Sequence, residues 1–461
     1  MSAPRLPLLI GGERRETPEW MTVTNPANDE PMAEAAAATP ADALSAVEAA
    51  REGLREWRAT APLQRGALLA TLARALDDEV DGIARLIHLE EGKPLPEAQA
   101  EVARANEVVH HFAGEAERLW SAHLPSGPGG LGSTVRPEPH GVVAAITPWN
   151  FPVALVVWKL APALAAGCTM VVKPAQEAPA AAWRVCEIAA GVLPPGVVNC
   201  ITGDGPPLGE ALATAEGVDK VAFTGSRRVA EQIAAWAAPR LKALSLELGG
   251  HGPLIVLDDA DVDTAVDVAV SQGYANAGQA CYSVNRVLVH RSIHDRVLEG
   301  IRERAAQLQL GPMATDRGLA RHRMLLEDAV SKGANVEGGE PRGGAFVAPA
   351  IVTGAGPGVR LVDEEPFTPI VAVIPFDDVE DALAEANRPD YGLVGYVCGG
   401  PTRRTQEVAE SVQCGTVVVN GWRVVVPYAP YAGWRGSGVG AELGRPGLEA
   451  FIRWQHLRVL A

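Results

Sequence analysis

The stretch Gly141-Val-Val-Ala-Ala-Ile-Thr-Pro-Trp-Asn150 opens the series that decides the fold. Its apolar run, Val142 to Ile146, is followed by a helical pattern from Pro152, then by further short apolar runs at Thr169 to Val172, Val197 to Ile201, Lys220 to Phe223 and Ala243 to Glu247. Helical patterns after Pro179 and Ser226 separate them. Continuous apolar strands alternating with helices predict βαβ units, hence a parallel sheet covered on both faces. Ligands of such doubly wound sheets bind at the carboxyl ends of the strands, so the residues just after each run are the first to search for chemistry.

Downstream, a second series from Gly252 to about Tyr428 includes Pro253 to Val256, a helix over Ala260 to Asn276, Ser283 to His290 and Val371 to Pro375, which predicts a second α/β unit. Upstream, Leu44, Val47, Ala50, Leu54 and Trp57 recur at helical steps, as do Leu68, Leu72, Leu76 and Val80, so residues 40–120 read as amphipathic covering helices. Ser126-Gly-Pro-Gly-Gly-Leu-Gly132 interrupts that pattern, and Thr134 onward reads as an extended arm.

A chain of 461 residues supports two to four core-forming units. With 47% hydrophobic and 21% charged residues, and 48 Gly and 36 Pro without a repeat, it is neither disordered nor fibrous. The net charge of −16 disfavours nucleic acid and anionic membranes as partners. The six cysteines have no framework spacing, and the N-terminal apolar run is too short for a signal segment, so a reducing, cytoplasmic setting is expected. No His/Cys cluster has metal-ligand spacing, and no metal is expected.

Six short motifs stand at places where chemistry is expected. Gly278-Gln279-Ala280-Cys281-Tyr282 gives a thiol an approachable setting, although a free Cys also serves as a small buried hydrophobe. Glu247-Leu248-Gly249-Gly250 puts a carboxylate at a strand end, as a general base or as a solvated turn residue. In Thr147-Pro148-Trp149-Asn150-Phe151-Pro152 the Asn150 amide can donate to an oxyanion, or cap a helix started by Pro152. Lys173-Pro174-Ala175-Gln176 and Phe223-Thr224-Gly225-Ser226 sit at crevice edges where ribose and pyrophosphate groups are held; Glu364-Glu365-Pro366-Phe367 completes the set. Asp258-Asp259 and Asp377-Asp378 read as charges at helix N-termini.

Taken together and in this order, these motifs resemble the aldehyde dehydrogenase superfamily over nearly the whole chain, including the 34-residue spacing of Glu247 and Cys281. The resemblance implies a Rossmann-like cofactor domain (residues 1–120 and 140–248), a second α/β catalytic domain (249–447), and a small β oligomerisation arm (121–139 with 448–461). It implies NAD(P)-dependent oxidation of an aldehyde to a carboxylic acid: Cys281 as nucleophile, Asn150 as oxyanion donor, and Glu247 activating the water that hydrolyses the thioester. Thr147, Trp149, Lys173, Gln176, Gly225, Ser226, Leu248, Glu365 and Phe367 would bind NAD or NADP. Gln176 stands where many NAD-preferring members have a Glu that repels a 2′-phosphate, so NADP should be tolerated.

Phe151, Leu155, Trp158, Tyr274, Tyr282, Val425 and Tyr431 would line the substrate tunnel, an aromatic and apolar set suited to an aromatic or medium aliphatic aldehyde. Semialdehyde members often carry an Arg near Trp158; here Arg423 is the alternative partner for an acidic substrate. A CoA-acylating relative would commonly lack Glu247, and a thiol esterase would leave Lys173 and Glu365 without a purpose. A non-catalytic binding member is opposed by the joint presence of Asn150, Glu247 and Cys281. A homodimer or homotetramer is expected.

Overall fold

The computed structural model describes residues 4–460. Strands Val142–Ile146, Thr169–Lys173 and Lys220–Thr224 are buried at every position, which a sheet can satisfy only with cover on both faces. They form the middle of an eight-stranded sheet in the order Gly438–Val439, Ala243–Glu247, Lys220–Thr224, Val142–Ile146, Thr169–Lys173, Val198–Cys200, Leu8–Ile10, Glu13–Arg15. From Ala243–Glu247 to Val198–Cys200 every pairing is parallel. The chain winds outward from Val142–Ile146 first to one side and then to the other, so the switch point lies between that strand and Lys220–Thr224, and the crevice opens after Ile146 and Thr224.

Both edges of this sheet are antiparallel additions. Leu8–Ile10 is held by the buried Asn199, whose Oδ1 accepts from the Gly11 N–H at 2.8 Å while its Nδ2 donates to the Gly196 carbonyl at 2.8 Å. Gly438–Val439 returns from near the C-terminus to pair with Ala243–Glu247, opposite Leu246 and Glu247.

A seven-stranded sheet follows, in the order Asn335–Gly338, Ala350–Thr353, Ile370–Phe376, Val284–His290, Gly252–Val256, Val394–Cys398, Thr416–Val419. All its pairings are parallel except the one made by Asn335–Gly338. Helices Pro40–Ala59, Pro62–Asp77, Val80–Glu91 and Leu95–Glu117 account for the upstream periodicity. The first is started by a capping box between Thr39 and Asp42, and the third is stopped by Gly92 at φ 80°.

Two local expectations are corrected. The helix expected from Pro152 begins at Ala154, so Asn150 is not its cap and the amide is free for other partners. The helix expected over Ala260 to Asn276 is Val262–Gly273, capped by Asp261 rather than by the Asp258-Asp259 pair; Asp258 instead meets Arg404 at 2.6 Å. Past its end, Asn276 and Ala277 adopt left-handed backbone at φ 50° and 54°. That conformation costs a non-glycine residue on the order of 1 kcal/mol or more.

The third sheet joins Ile452–Leu460 to Gly130–Pro139 in an antiparallel ladder, with Ala122–His123 on the far edge. Trp120, Leu131, Trp454, Leu457, Val459 and Leu460 are exposed there, and the Trp120 and Trp454 rings lie 5.7 Å apart. Among the described residues, no helix is long and apolar enough to cross a membrane.

Candidate active site

The left-handed turn at Asn276 and Ala277 redirects the chain so that Cys281 faces the crevice of the first sheet. Cys281 is half-buried, while Cys168, Cys186, Cys200, Cys398 and Cys414 are buried. Its Sγ lies 3.4 Å from the Tyr431 hydroxyl, and the Tyr431 ring is held edge-on to Trp158 at 5.2 Å. Burial pushes the thiol up to about 12, the Tyr431 hydroxyl pulls it back, and the nearby Glu365 and Glu247 carboxyls raise it. The two sheets meet closely here. A Cβ on Gly250 would lie 2.1 Å from the Cys281 carbonyl oxygen, so only glycine lets the turn after Glu247 approach the nucleophile.

Asn150, on the turn after Val142–Ile146, donates through Nδ2 to the Gln279 carbonyl at 3.0 Å. One amide hydrogen is thereby fixed two residues before Cys281, leaving the other for a developing oxyanion. Glu247 ends its strand at 3% exposure, and neither carboxyl oxygen makes a well-formed hydrogen bond. Burial and the neighbouring Glu442 push its pKa well above the carboxylate range, with Lys159 and the Gly433 N–H opposing. Lys159 itself is buried and donates to Glu442 and to Thr224, each at 2.6 Å. Glu247 thus sits near a buried ammonium and a second carboxyl, whose charges pull its pKa in opposite directions.

The crevice residues fall along the strand ends. The Thr147 N–H donates to the Lys173 carbonyl at 3.1 Å, and the Leu248 N–H to the Ser437 carbonyl at 2.9 Å. Lys173 is buried at 4% exposure; burial lowers its pKa to about 8, and Glu177 and Asp204 act on it only through space. Gln176 is exposed, three residues farther along the same loop. Ser226 precedes helix Arg227–Ala237 without using its side chain as a cap, which leaves the first N–H groups of that helix open. From the second sheet's side, Glu365 accepts from the Gly250 N–H at 2.9 Å and burial raises its carboxyl to about 7. Phe367, at φ 55°, stands edge-on to Trp149 at 5.8 Å.

On the opposite side of Cys281 a cavity of about 570 Å³ opens to solvent. Phe151, Leu155, Trp158, Tyr274, Tyr282, Arg423, Val425 and Tyr431 all line it. Arg423 is exposed and lies 3.6 Å from Glu107, so its charge is shared at the rim. Arg104, on helix Leu95–Glu117, also lines the cavity. Sequence reasoning missed Arg104, Lys159 and Glu442, and missed Lys93, Glu91 and Glu101, which are buried beneath Asn150. The last three belong to segments that read as covering helices, where charge is expected in water; the Glu90-Glu91-Gly92-Lys93 run at a helix end was the available signal.

A thiol, a fixed amide and a buried carboxyl beside a nucleotide-type crevice can support thioester chemistry, which points to the class of cysteine-dependent α/β oxidoreductases. The chain belongs to the aldehyde dehydrogenase family, whose model matches residues 13–457, and it is an NAD(P)-dependent enzyme of that family. It is 35% identical to the NADP(+) succinate-semialdehyde dehydrogenase of Escherichia coli, over 97% of this chain and 96% of that one. It is 37% identical to the 4-(hydroxymethyl)benzenesulfonate dehydrogenase of Comamonas testosteroni, over 98% of each. Its structure superposes with a TM-score of 0.97 on the crystal structure of an E. coli NADP-dependent enzyme, at 35% identity, covering 99% of this chain and 98% of that one.

The Tyr431 contact has a measurable consequence. Because its hydroxyl lowers the Cys281 pKa, Tyr431→Phe is expected to raise it and to slow iodoacetamide labelling of Cys281 by about threefold to tenfold at pH 8. Mass-spectrometric labelling rates across pH 7 to 10 check this, and an unchanged rate profile would remove the hydroxyl from the thiol's environment.

Proposed function

We propose that the protein oxidises an aldehyde carrying an apolar or aromatic body and a remote anionic group to the corresponding carboxylic acid. The observation that carries the chemistry is the convergence of Cys281, Asn150 and Glu247 between the crevice and the cavity. The Cys281 sulfur attacks the carbonyl carbon, and the oxygen takes up negative charge against the Asn150 amide and the Cys281 N–H. With the aldehyde's hydride given up to the nicotinamide dinucleotide that the crevice would hold, the adduct would become a thioester; water opens it, its proton passing to Glu247 and on to the departing sulfur, which releases the acid and restores the thiol.

The crevice residues fit a nicotinamide dinucleotide. Lys173 is a buried ammonium without an ion-pair partner among the described residues, open N–H groups follow Ser226, and a Cβ on Gly225 would close to 2.5 Å of the Phe223 ring, so the backbone there is kept bare. Lys173 and Glu365 would hold ribose hydroxyls, Gly225 and Ser226 the pyrophosphate, Thr147, Trp149 and Leu248 the crevice floor, and Phe367 the nicotinamide end. When bound, the cofactor supplies the hydride acceptor. The neutral Gln176 favours tolerance of a 2′-phosphate, in line with the NADP(+) named for the E. coli relative.

The substrate reading rests on the cavity's two characters. Its walls near Cys281 are aromatic, which suits a ring or a medium aliphatic chain, and its rim carries Arg104 and Arg423. Both relatives have names that carry a fixed anion, a carboxylate in one and a sulfonate on a benzene ring in the other. We also propose residues 121–139 and 448–461 as an oligomerisation arm separate from the cofactor and catalytic units, on the exposed apolar side chains of its sheet.

Variants at these positions test the readings. Cys281→Ala is expected to abolish aldehyde oxidation. Glu247→Gln is expected to keep a first-turnover burst of reduced cofactor while steady turnover falls about 10²-fold or more. A lost burst would take the hydrolytic role from Glu247; in the same assay, a hundredfold preference for NAD+ over NADP+ would remove the role given to Gln176. Arg104→Ala and Arg423→Ala should each raise KM for succinic semialdehyde or 4-sulfobenzaldehyde by about tenfold with kcat held. Benzaldehyde should be unaffected, and equal losses on benzaldehyde would refute the anion reading. Trp454→Asp with Leu131→Asp should reduce the mass measured by light scattering to that of a single chain, whereas an unchanged mass would exclude the arm as the interface.

A further inference from the structure

A buried cluster of Lys93, Glu91 and Glu101 lies beneath Asn150 and takes no part in the chemistry above. Lys93 follows Gly92 at the end of helix Val80–Glu91 and is 2% exposed. Its ammonium donates to Glu101 at 2.5 Å and to the Asn150 carbonyl oxygen at 2.9 Å, and it lies 3.0 Å from a Glu91 carboxyl oxygen as an ion pair. It also sits 4.1 Å over the Phe151 ring. Burying such charges costs more than their attraction returns in many proteins, so the cluster is not explained by stability alone.

Its connections run to both halves of the active site. Through its other oxygen, Glu101 accepts from the Val153 and Ala154 N–H groups at 3.0 and 3.1 Å, fixing the start of helix Ala154–Ala166, which carries Leu155, Trp158 and Lys159. Glu91 accepts from the Asn276 side chain at 2.5 Å, in the left-handed turn that leads to Cys281. Asn276 Nδ2 lies 3.0 Å from the same Asn150 carbonyl that Lys93 holds. The Asn150 peptide is thus gripped from two sides by groups that a single lysine joins, while its amide points to Gln279.

We infer that Lys93 is a positioning residue for the oxyanion site: it fixes the Asn150 peptide against the nucleophile turn by joining the Asn150 carbonyl, Glu101 and Glu91 through one ammonium. Without the ammonium, two buried carboxyls face each other, and the Asn150 loop and the Cys281 turn lose their common anchor. Burial and each other's charge hold the Glu91 carboxyl up near 8, and Lys93 counters that; burial lowers the Lys93 pKa, yet Glu101 and Glu91 hold it above its usual value. The inference rests on Asn150 donating to the oxyanion.

The test is a double-mutant cycle on the full-length enzyme. Lys93→Met is expected to lower kcat by about 30- to 100-fold, close to the loss in Asn150→Ala, with KM for the aldehyde, cofactor-binding Kd from fluorescence quenching and the Cys281 iodoacetamide rate within about threefold of wild type. In the Asn150→Ala background, Lys93→Met should cost less than about threefold more, because both changes remove one interaction. Full additivity, or a parallel loss of labelling and cofactor binding, would overturn the inference and leave Lys93 a structural residue. If Lys93→Met does not fold, the isosteric Glu91→Gln replaces it, with about a tenfold loss of kcat expected and the same non-additivity. An Asn150→Ala enzyme with unchanged kcat would instead overturn the oxyanion reading, a result distinct from additivity.

Discussion

The hydrogen bond from the Asn150 amide to the Gln279 carbonyl, 3.0 Å long, is the point on which the arrangement of the site turns. One partner belongs to the loop after the central strand of the first sheet, the other to the turn that carries the thiol into the crevice. A bond of this kind contributes only about 1 kcal/mol to stability, but its geometric content is larger, because it fixes the Asn150 amide against the turn that carries the Cys281 thiol. Other features serve the same meeting: the bare backbone at Gly250, the strained turn at Asn276 and Ala277, and the charge cluster beneath. Strain and buried charge are concentrated where two loops from different sheets must be held within reach of one carbonyl group.

Electrostatically the site is divided. Burial pushes the pKa values of both Cys281 and Glu247 upward; Glu365 and Glu247 add to the shift at Cys281, and Glu442 adds to it at Glu247. Neither group is therefore ready in the structure as it stands, and each needs a change in its surroundings to act. Lys159 and Glu442 offer one route for Glu247, since the ammonium and the second carboxyl are already in contact. The cavity on the far side is different in kind: aromatic side chains lie near the thiol, the buried Lys93 and Glu101 line it, and Arg104 and Arg423 stand at the exposed side.

Much of this was legible in the chain. The uninterrupted apolar runs at Val142 to Ile146 and Lys220 to Phe223 required a covered parallel sheet, and strand ends then indicated where Asn150, Lys173 and Glu247 would stand. Local spacing was less informative where proline and aspartate misled: Pro152 precedes its helix by two residues, and Asp261 caps in place of the more conspicuous acidic pair. The residues that escaped notice were charges. Lys93, Glu91 and Glu101 lie on segments with amphipathic periodicity, and Lys159 is one polar residue in an otherwise apolar helix. Their burial depends on contacts between elements far apart in sequence, which periodicity does not record.

The return of Gly438–Val439 to the edge of the first sheet bears on how the protein comes into being. Strand Ala243–Glu247, which carries the buried Glu247 carboxyl, has an open edge until a segment nearly two hundred residues later has been synthesised. The first sheet therefore emerges from the ribosome with an unprotected flank, and its closure depends on a contact of very high sequence separation, a slow step by the physics of loop closure. The same closing segment supplies Tyr431, Gly433 and Glu442 to the surroundings of the thiol and the carboxyl. A chain that stops short of Tyr431 to Glu442 thus lacks the surroundings of its thiol and buried carboxyl as well as the edge of its sheet.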